Sequence, residues 1–473
     1  MTQEQEIILL RSENALLRTE NSDICEKFEL LTKEVVSLRE KLLLALKSSE
    51  KKPVKKDSDN SSLPPSVDMS RQSRSLREPS GLLPGGQTGH KGHTLKITDT
   101  PDIVVDLKSN FCQKCGQALS DDFQSLKVKR QVIDIPPVKT ICTEYRQYAC
   151  KCPNCKHEQK PSFPVGVNAP VQYGTNVMTM VAYFSVYQYV PYNRLKQLFS
   201  DIFGLSLSSG TIDNLLIKAG EKAQPIYDGI KAQILQSAVI GSDETSCKVK
   251  KEKHWIWVWQ NILNTFLVVS KTRGFAAVEQ EFKDGFPNAV IVSDRWAAQL
   301  KSVAKNHQLC TAHLLRECKF LKADETDEQN INPFAQGIKS VIKQGLDLRK
   351  TWLTDNKPAD KEHPTVKLIE KQFNELLTLT LDDKIFPQTI TFQNSLLKHR
   401  AFMFPFLYNL EVPPDNNGSE RAIRNVKVKQ KISGHFKSGQ EVFCVLRSVI
   451  DTLIKREIDI FQMLKSIVML QPE

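Results

Sequence analysis

No apolar run in this chain is long enough to cross a bilayer. The longest candidate, Val177 to Val190, is interrupted by Thr, Ser and Gln. The opening residues, Met-Thr-Gln-Glu-Gln-Glu, lack the basic and apolar regions of a secretory signal. A disulfide framework is also missing: the 11 cysteines are an odd count, and four of them form two CxxC pairs. That usage suits a reducing cytosol with a metal site better than a secreted scaffold. Acidic side chains are in deficit, 54 Asp and Glu against 65 Lys and Arg, for a formal charge of +11 and a pI near 9.0. Such an excess favours a polyanionic partner, nucleic acid first. At 473 residues the chain exceeds what one hydrophobic core organises, so several domains are expected.

What is present begins with a heptad pattern in residues 1–48. With Ile7 at position a, the a positions hold Ile7, Asn14, Asn21, Phe28, Val35 and Leu42, and the d positions Leu10, Leu17, Ile24, Leu31, Leu38 and Ala45. That seam predicts a coiled coil, and the two a-position asparagines favour a parallel pair of fixed register. Glu6 with Arg11, Glu13 with Arg18 and Glu34 with Arg39 are attractive across such a homodimer. Residues 49–100 then carry lysines, arginines, Ser, Pro and the stretch Pro-Gly-Gly-Gln-Thr-Gly-His-Lys-Gly-His, a composition of a basic flexible linker.

Residues 101–165 hold Cys112-Gln-Lys-Cys115 and Cys152-Pro-Asn-Cys155. Two such pairs offer four thiolates to one structural Zn²⁺ ion in a small β-rich module, with Cys150 as a substitute ligand. Residues 166–235 read as helical, and Asn193 to Leu216 has a helix-turn-helix shape. Gly204 ends the first helix, Ser208 caps the second, and a reading helix over Ser209–Ile217 would carry Ser209, Thr211 and Asn214 into DNA. A plain helical hairpin is the other reading.

From Ala238 to Ala298 the pattern changes to three strands, a helix and a fourth strand. His254 to Gln260 alternates tryptophans with Ile256 and Val258, apolar on both faces, so a buried strand is predicted. Asp243 and Asp294 each end an apolar run, where packing has no use for a carboxylate. In one sheet, two such strand ends bring two carboxylates to the same mouth. A short strand and helix follow at Asn306 to Arg316, then a helical insertion or lid over about residues 317–410. At Val412 to Lys427 a Pro/Asn/Gly turn leads to Ser419, a predicted cap, with Glu420 in the first helical turn. Arg421, Arg424 and Lys427 follow without an intervening acid, a basic face suited to DNA phosphates. Residues 441–473 end the chain as helices. Two aspartates and a glutamate could hold two Mg²⁺ ions for an in-line phosphodiester displacement.

Several motifs resemble the transposases of the insertion sequence 66 family: Gly-Ser-Asp243-Glu-Thr, Val-Ser-Asp294-Arg-Trp-Ala, Leu-Cys310-Thr-Ala-His313-Leu-Leu-Arg316, Asp415-Asn-Asn-Gly-Ser-Glu420-Arg-Ala-Ile-Arg, the glycine-rich stretch and the cysteine module. The resemblance covers nearly the whole chain in the same order. It implies an α/β core over residues 236–440, ribonuclease-H-like, a mixed sheet flanked by helices with a large helical insertion. It implies Asp243, Asp294 and Glu420 as a DDE triad using Mg²⁺ or Mn²⁺. It also implies element-end and target DNA as partners, accessory proteins from the same element, and a bacterial cytoplasmic, nucleoid-associated location. The chain departs from the family pattern at the second knuckle, where Cys150, Cys152 and Cys155 offer three cysteines for two places. Two other functions suit the same residues: a catalytically idle DNA-binding relative, and another metal-dependent nuclease on the same fold, such as a resolvase.

Overall fold

The computed structural model describes residues 95–136, 138–324 and 332–470, together with residue 89 and residues 18, 27, 31–35 and 38. The heptad segment and the basic linker therefore lie mostly outside the described residues. Those described between 18 and 38 are helical, and the seam residues Leu31, Val35 and Leu38 are exposed. No helix among the described residues is long and apolar enough to cross a membrane.

The described residues form two compact units, 95–172 with Tyr192–Ile212, and Tyr173–Pro191 with 213–470. The first bears the two CxxC knuckles. Its strands are β1 (Cys150–Lys151) and β2 (Glu158–Gln159), paired antiparallel, and no described residue between 95 and 172 is buried. Three helices follow: α1 (Thr175–Ala182), continued by a π-helical turn at Tyr183–Tyr187, then α2 (Tyr192–Phe203) and α3 (Ser209–Leu235). Gly204 ends α2 at φ 62°, a left-handed position that glycine adopts without steric cost. Ser208 Oγ accepts from Thr211 N (3.0 Å) and caps α3. The sequence-predicted reading helix stopped near Ile217. The observed helix runs on to Leu235, because Leu216, Ala219, Ala223, Tyr227, Ile230 and Ile234 continue a buried stripe at three- and four-residue spacing.

The larger unit is built on a five-stranded mixed sheet. Its strands are β3 (Val239–Val249), β4 (Glu252–Gln260), β5 (Thr265–Ser270), β6 (Phe286–Ser293) and β7 (Ala304–Leu309), in the order β5-β4-β3-β6-β7. β3 is antiparallel to β4 and β4 to β5, whereas β6 runs parallel to both β3 and β7. Helices α4 (Phe275–Glu281) and α5 (Ala297–Leu300) flank β6 in sequence. The tryptophan alternation of β4 is buried on both faces: Ile256, Trp257, Val258 and Trp259 are at most 1% exposed. Burial of that kind stabilises by roughly 1.5–3 kcal/mol per large apolar side chain.

Beyond β7 come α6 (Thr311–Asp324), α7 (Pro333–Thr354), α8 (Pro364–Leu377), α9 (Pro387–Lys398) and α10 (Pro405–Tyr408). Their apolar faces share one cluster with Val290, Val292 and Leu309 of the sheet. The insertion is therefore a packed layer against β6 and β7. Asn332 caps α7 through Ala335 N (2.9 Å), with Pro333 at the first helical position. Arg349 donates to the carbonyls of Phe406 (2.9 Å) and Leu410 (2.7 Å), which fixes the chain entering the next element.

The last helices are α11 (Asn417–Ser433), α12 (Gln440–Lys455) and α13 (Ile460–Met469). α12 covers the free edge of β5. Thr452 Oγ1 accepts from Thr265 N (3.1 Å), Ser448 Oγ accepts from Leu267 N (2.8 Å), and Tyr227 of α3 donates to Leu267 O (2.7 Å). Edge-strand groups that could template a foreign strand are thus paired within the unit.

Candidate active site

Strand register brings the two aspartates together. Gly241 of β3 lies opposite Val292 of β6, the last pair of that parallel ladder. Asp243 and Asp294 each stand two residues beyond it, so alternation places both on one face at the same level. Asp243 does not end its strand, as the sequence had suggested. β3 continues to Val249 because β4 pairs with it throughout; only the β6 side opens after Gly241. Asp243 Oδ1 accepts from Glu244 N (2.8 Å) and Asp294 Oδ1 from Trp296 N (2.8 Å), leaving the second oxygen of each available. Among the described residues neither aspartate forms a salt bridge.

Burial pushes the Asp243 carboxyl well above the usual carboxylate range, and the Asp294 charge adds to the shift. Asp294 is raised as well, again by burial first, although Trp296 N, Arg273 and Arg295 oppose it. The neighbouring Glu244 points away from Asp243 along the strand. It accepts from Arg273 Nε (2.7 Å) and Gln299 Nε2 (2.8 Å), yet burial and then Asp294 raise it to about 7. Arg273 lies flat on Trp296 (3.7 Å to the ring centre) and faces Trp255 (4.9 Å). Arg273, Gln299 and Glu244 escaped the sequence reading; only the adjacency of Glu244 to Asp243 could have signalled one of them.

Glu420 is in the first turn of α11. The sequence named Ser419 as the cap, but α11 begins at Asn417 and Asn416 occupies the cap position. Ser419 instead is buried inside the first turn, its hydroxyl donating to Asn416 Oδ1 (2.7 Å). Glu420 affects both aspartates electrostatically, raising each. Its own carboxylate is held by Arg316 Nη2 of α6 (3.0 Å), with His313 Nε2 3.8 Å away. Burial, then Arg316 and Arg295, lower His313 to about 3, so the imidazole is neutral and the Glu420 ion pair belongs to Arg316.

Among the described residues no group of three or more His, Cys, Asp or Glu side chains is gathered closely enough to hold a metal ion, so neither Asp243, Asp294 and Glu420 nor the four knuckle cysteines form a ready ligand set. Asp243 and Asp294 fit a divalent cation by their chemistry: hard oxygen donors side by side, mutually repelling, without a neutralising ion pair.

The raised carboxyls bind protons more tightly folded than unfolded. Stability they contribute is therefore greatest at low pH and declines as pH rises, from the ordinary values of 3.8 and 4.5 through the raised ones. The metal-free protein should show a falling unfolding midpoint between pH 4.5 and about 7, the window set by Glu244. Mg²⁺ or Mn²⁺ should raise the midpoint, most at the upper end, because the cation takes the place of the proton on Asp243 and Asp294. Thermal unfolding across this range with and without the ions is the measurement. A midpoint indifferent to them would remove the cation site.

On α11, Arg421 and Arg424 are exposed and Lys427 is half-buried. Lys427 Nζ donates to Ser246 O of β3 (3.1 Å), as does Gln430 Nε2 (3.1 Å), and burial lowers the lysine pKa. On α3, Ser209 and Asn214 are exposed and Thr211 is half-buried, its hydroxyl 2.9 Å from Ser208 Oγ.

In the cysteine-bearing unit the two knuckles repeat one geometry. Gly116 N donates to Cys112 O (2.9 Å) and Cys112 N to Gln117 O (2.8 Å). Correspondingly, Lys156 N donates to Cys152 O (2.9 Å) and Cys152 N to His157 O (2.8 Å). Gly116 and Lys156 both have positive φ, 73° and 62°. Backbone N–H groups of Cys115 and Lys114 lower the Cys112 thiol, and those of Cys155 and Asn154 the Cys152 thiol. Donors aimed at a sulfur favour thiolate, the metal-binding form. Cys150 lies in β1, outside the repeated turn.

Two family models match the chain. One, described as Transposase IS66 family, matches residues 170–442 and so contains Asp243, Asp294 and Glu420. The other, described as zinc-finger binding domain of transposase IS66, matches residues 109–156 and contains Cys112, Cys115, Cys152 and Cys155. No curated protein matches.

Proposed function

The chain belongs to the transposase IS66 family, and from that premise we propose that it cuts DNA at the ends of its own mobile element and joins the 3′ hydroxyls to target DNA. The observation that carries this reading is the equal register of Asp243 and Asp294, two residues past the last β3–β6 pair. The order β5-β4-β3-β6-β7, antiparallel then parallel, supports a ribonuclease-H-like core.

Asp243, Asp294 and Glu420 would hold the divalent ions. When bound, such ions activate the attacking oxygen and stabilise the leaving one of an in-line displacement. The chain's own groups do the rest. The aspartates orient the reacting phosphate at a fixed level of the sheet. Arg316 neutralises Glu420 in the free protein. Arg421 and Arg424 lie along the helix that carries Glu420 and would take phosphates beside the cut. Lys427 can add a contact only by leaving the Ser246 carbonyl. The four knuckle cysteines, Cys112, Cys115, Cys152 and Cys155, would hold Zn²⁺ and shape the amino-terminal DNA contacts, to which Ser209, Thr211 and Asn214 of α3 add. The heptad segment pairs two copies, one for each element end.

The direct test incubates the full chain with Mg²⁺ or Mn²⁺ and duplexes bearing the candidate terminal repeats that flank the gene. Joined 3′ ends in a target duplex are expected. Absence of cleavage with either ion, together with equal affinity for repeats and random duplex, would overturn the reading. The basic helix gives a second measurement. Arg421→Ala and Arg424→Ala should each flatten the dependence of log affinity on log salt by about 1, the signature of one phosphate contact. An unchanged slope in both variants would move the DNA path away from α11.

A further inference from the structure

Asn416 is 2% exposed and every polar group it carries is engaged. Its Nδ2 donates to Ser242 O (2.7 Å). Its Oδ1 accepts from Ser419 Oγ (2.7 Å). Its backbone N–H donates to Cys310 Sγ (3.2 Å), and its carbonyl accepts from Glu420 N (3.2 Å). Cys310 N in turn donates to Ser293 O (2.8 Å). The Ser242 carbonyl belongs to the peptide that ends in Asp243, and the Ser293 carbonyl to the peptide that ends in Asp294. Asn416, with Cys310 as its intermediary to Ser293, therefore connects the backbones that carry all three carboxylates.

We propose that Asn416 is the positioning residue of the site: it sets Glu420 against Asp243 and Asp294 across the long separation in sequence. The inference rests on the reading of those three carboxylates as one site. A carboxamide is required, because one end must donate to a carbonyl and the other accept from a hydroxyl. Asp lacks the donor, and an apolar isostere lacks both. A satisfied buried network of this kind rigidifies what it joins.

The surroundings are shaped for the same contact. A Cβ on Gly241 would lie 2.3 Å from Gln260 Nε2, 2.7 Å from Ser419 Oγ and 2.9 Å from Asn416 Oδ1. A Cβ on Gly418 would lie 2.5 Å from the same Gln260 nitrogen. Gln260 is itself held, since Lys455 Nζ donates to its Oε1 (2.7 Å). Two glycines thus let the helix start approach β3, and a fixed glutamine fills the remaining space. Cys310 enters as an acceptor and not as a nucleophile; burial raises its thiol to about 11.

The test uses the full chain carrying Asn416→Asp, alone and combined with Glu420→Gln. Hydrogen exchange of peptides over residues 416–424 reads the position of α11 without reference to catalysis. Exchange there should quicken more than in β4 and β6, beyond what the buried carboxylate costs the overall unfolding midpoint. Strand-cleavage kcat should fall about 10- to 100-fold with KM for DNA unchanged, the cost of a carboxylate misplaced by about 1 Å. In the Glu420→Gln background the same change should cost less than about 2-fold, because both act through one carboxylate. Should Asn416→Asp fold poorly, Cys310→Val removes one bond of the hub, and Cys310→Ser should restore an acceptor and most of the rate.

Unchanged exchange over 416–424 overturns the proposal. So do losses that multiply in the double variant, since Asn416 would then act by another route. Quickened exchange with a fully active Glu420→Gln overturns the shared-site reading, and the positioning role falls with it by that distinguishable path.

Discussion

Asp243→Asn should abolish metal-dependent strand cleavage and transfer while leaving the protein as stable as before or more so. Asparagine keeps the shape and can still accept from Glu244 N, a 2.8 Å contact in the parent. What it removes is the charge. In the folded chain that charge is disfavoured by burial, by Asp294 and by Glu244, so its loss relieves repulsion. On the proposed function the same charge would hold a divalent ion where the phosphate reacts. Removing one preorganised electrostatic group from such a site costs about 10²–10³-fold, and losing an ion with it costs more. Activity and stability therefore move in opposite directions, which a structural residue would not do. The paired measurements are strand transfer on terminal-repeat DNA and thermal unfolding above pH 7, the value to which Glu244 is raised. Full activity would remove Asp243 from the site. A lowered unfolding midpoint would make it a structural residue.

The candidate residues of this site were legible in the sequence to different degrees, for reasons that particular residues make clear. Asp243 and Asp294 stood out because each follows an apolar run that packing alone explains up to that point. The buried strand β4 was legible because tryptophan alternates with Ile256 and Val258, and Trp257 and Trp259 are buried with them. Glu420 was legible only through its motif. Its approach to the aspartates depends on Asn416, whose hydrogen bonds reach Ser242 O and Cys310 Sγ. Those partners are remote in sequence and carry no periodic signal. Ser419 reads as the cap in sequence because Ser is a good cap in isolation. It yields the position to Asn416 because β3 supplies that asparagine with a carbonyl to bind. Arg316, Arg273 and Lys455 show the general limit. Each is an ordinary cation in the sequence, and only the fold gives it Glu420, Glu244 or Gln260 as a partner.

Removal of metal from the cysteine-bearing unit should unfold residues 101–165 and leave the sheet of the larger unit intact. Between residues 95 and 172 no described residue is buried, and Leu107, Val132 and Ile141 are 95%, 91% and 85% exposed. Apolar burial therefore contributes little to this segment, and a strand pair of two residues each adds little more. A structural Zn²⁺ contributes about 10–16 kcal/mol in small modules, enough to decide whether such a segment folds. The two knuckles already present their turns, and backbone N–H groups lower the Cys112 and Cys152 thiols; the ion would tie the knuckles to each other. Chelation, Cys112→Ser or Cys152→Ser should make residues 101–165 rapidly exchanging and protease-sensitive. Affinity for element-end DNA should drop by at least about 10-fold, while hydrogen exchange in β3, β4 and β6 stays slow. Cys150→Ser should keep its zinc, because Cys152 and not Cys150 occupies the place equivalent to Cys112. Zinc content, measured on the parent and these variants, decides the assignment. Retained protection after full chelation would show that the segment draws its stability from another source, and loss of zinc in Cys150→Ser alone would transfer the ligand role to that residue.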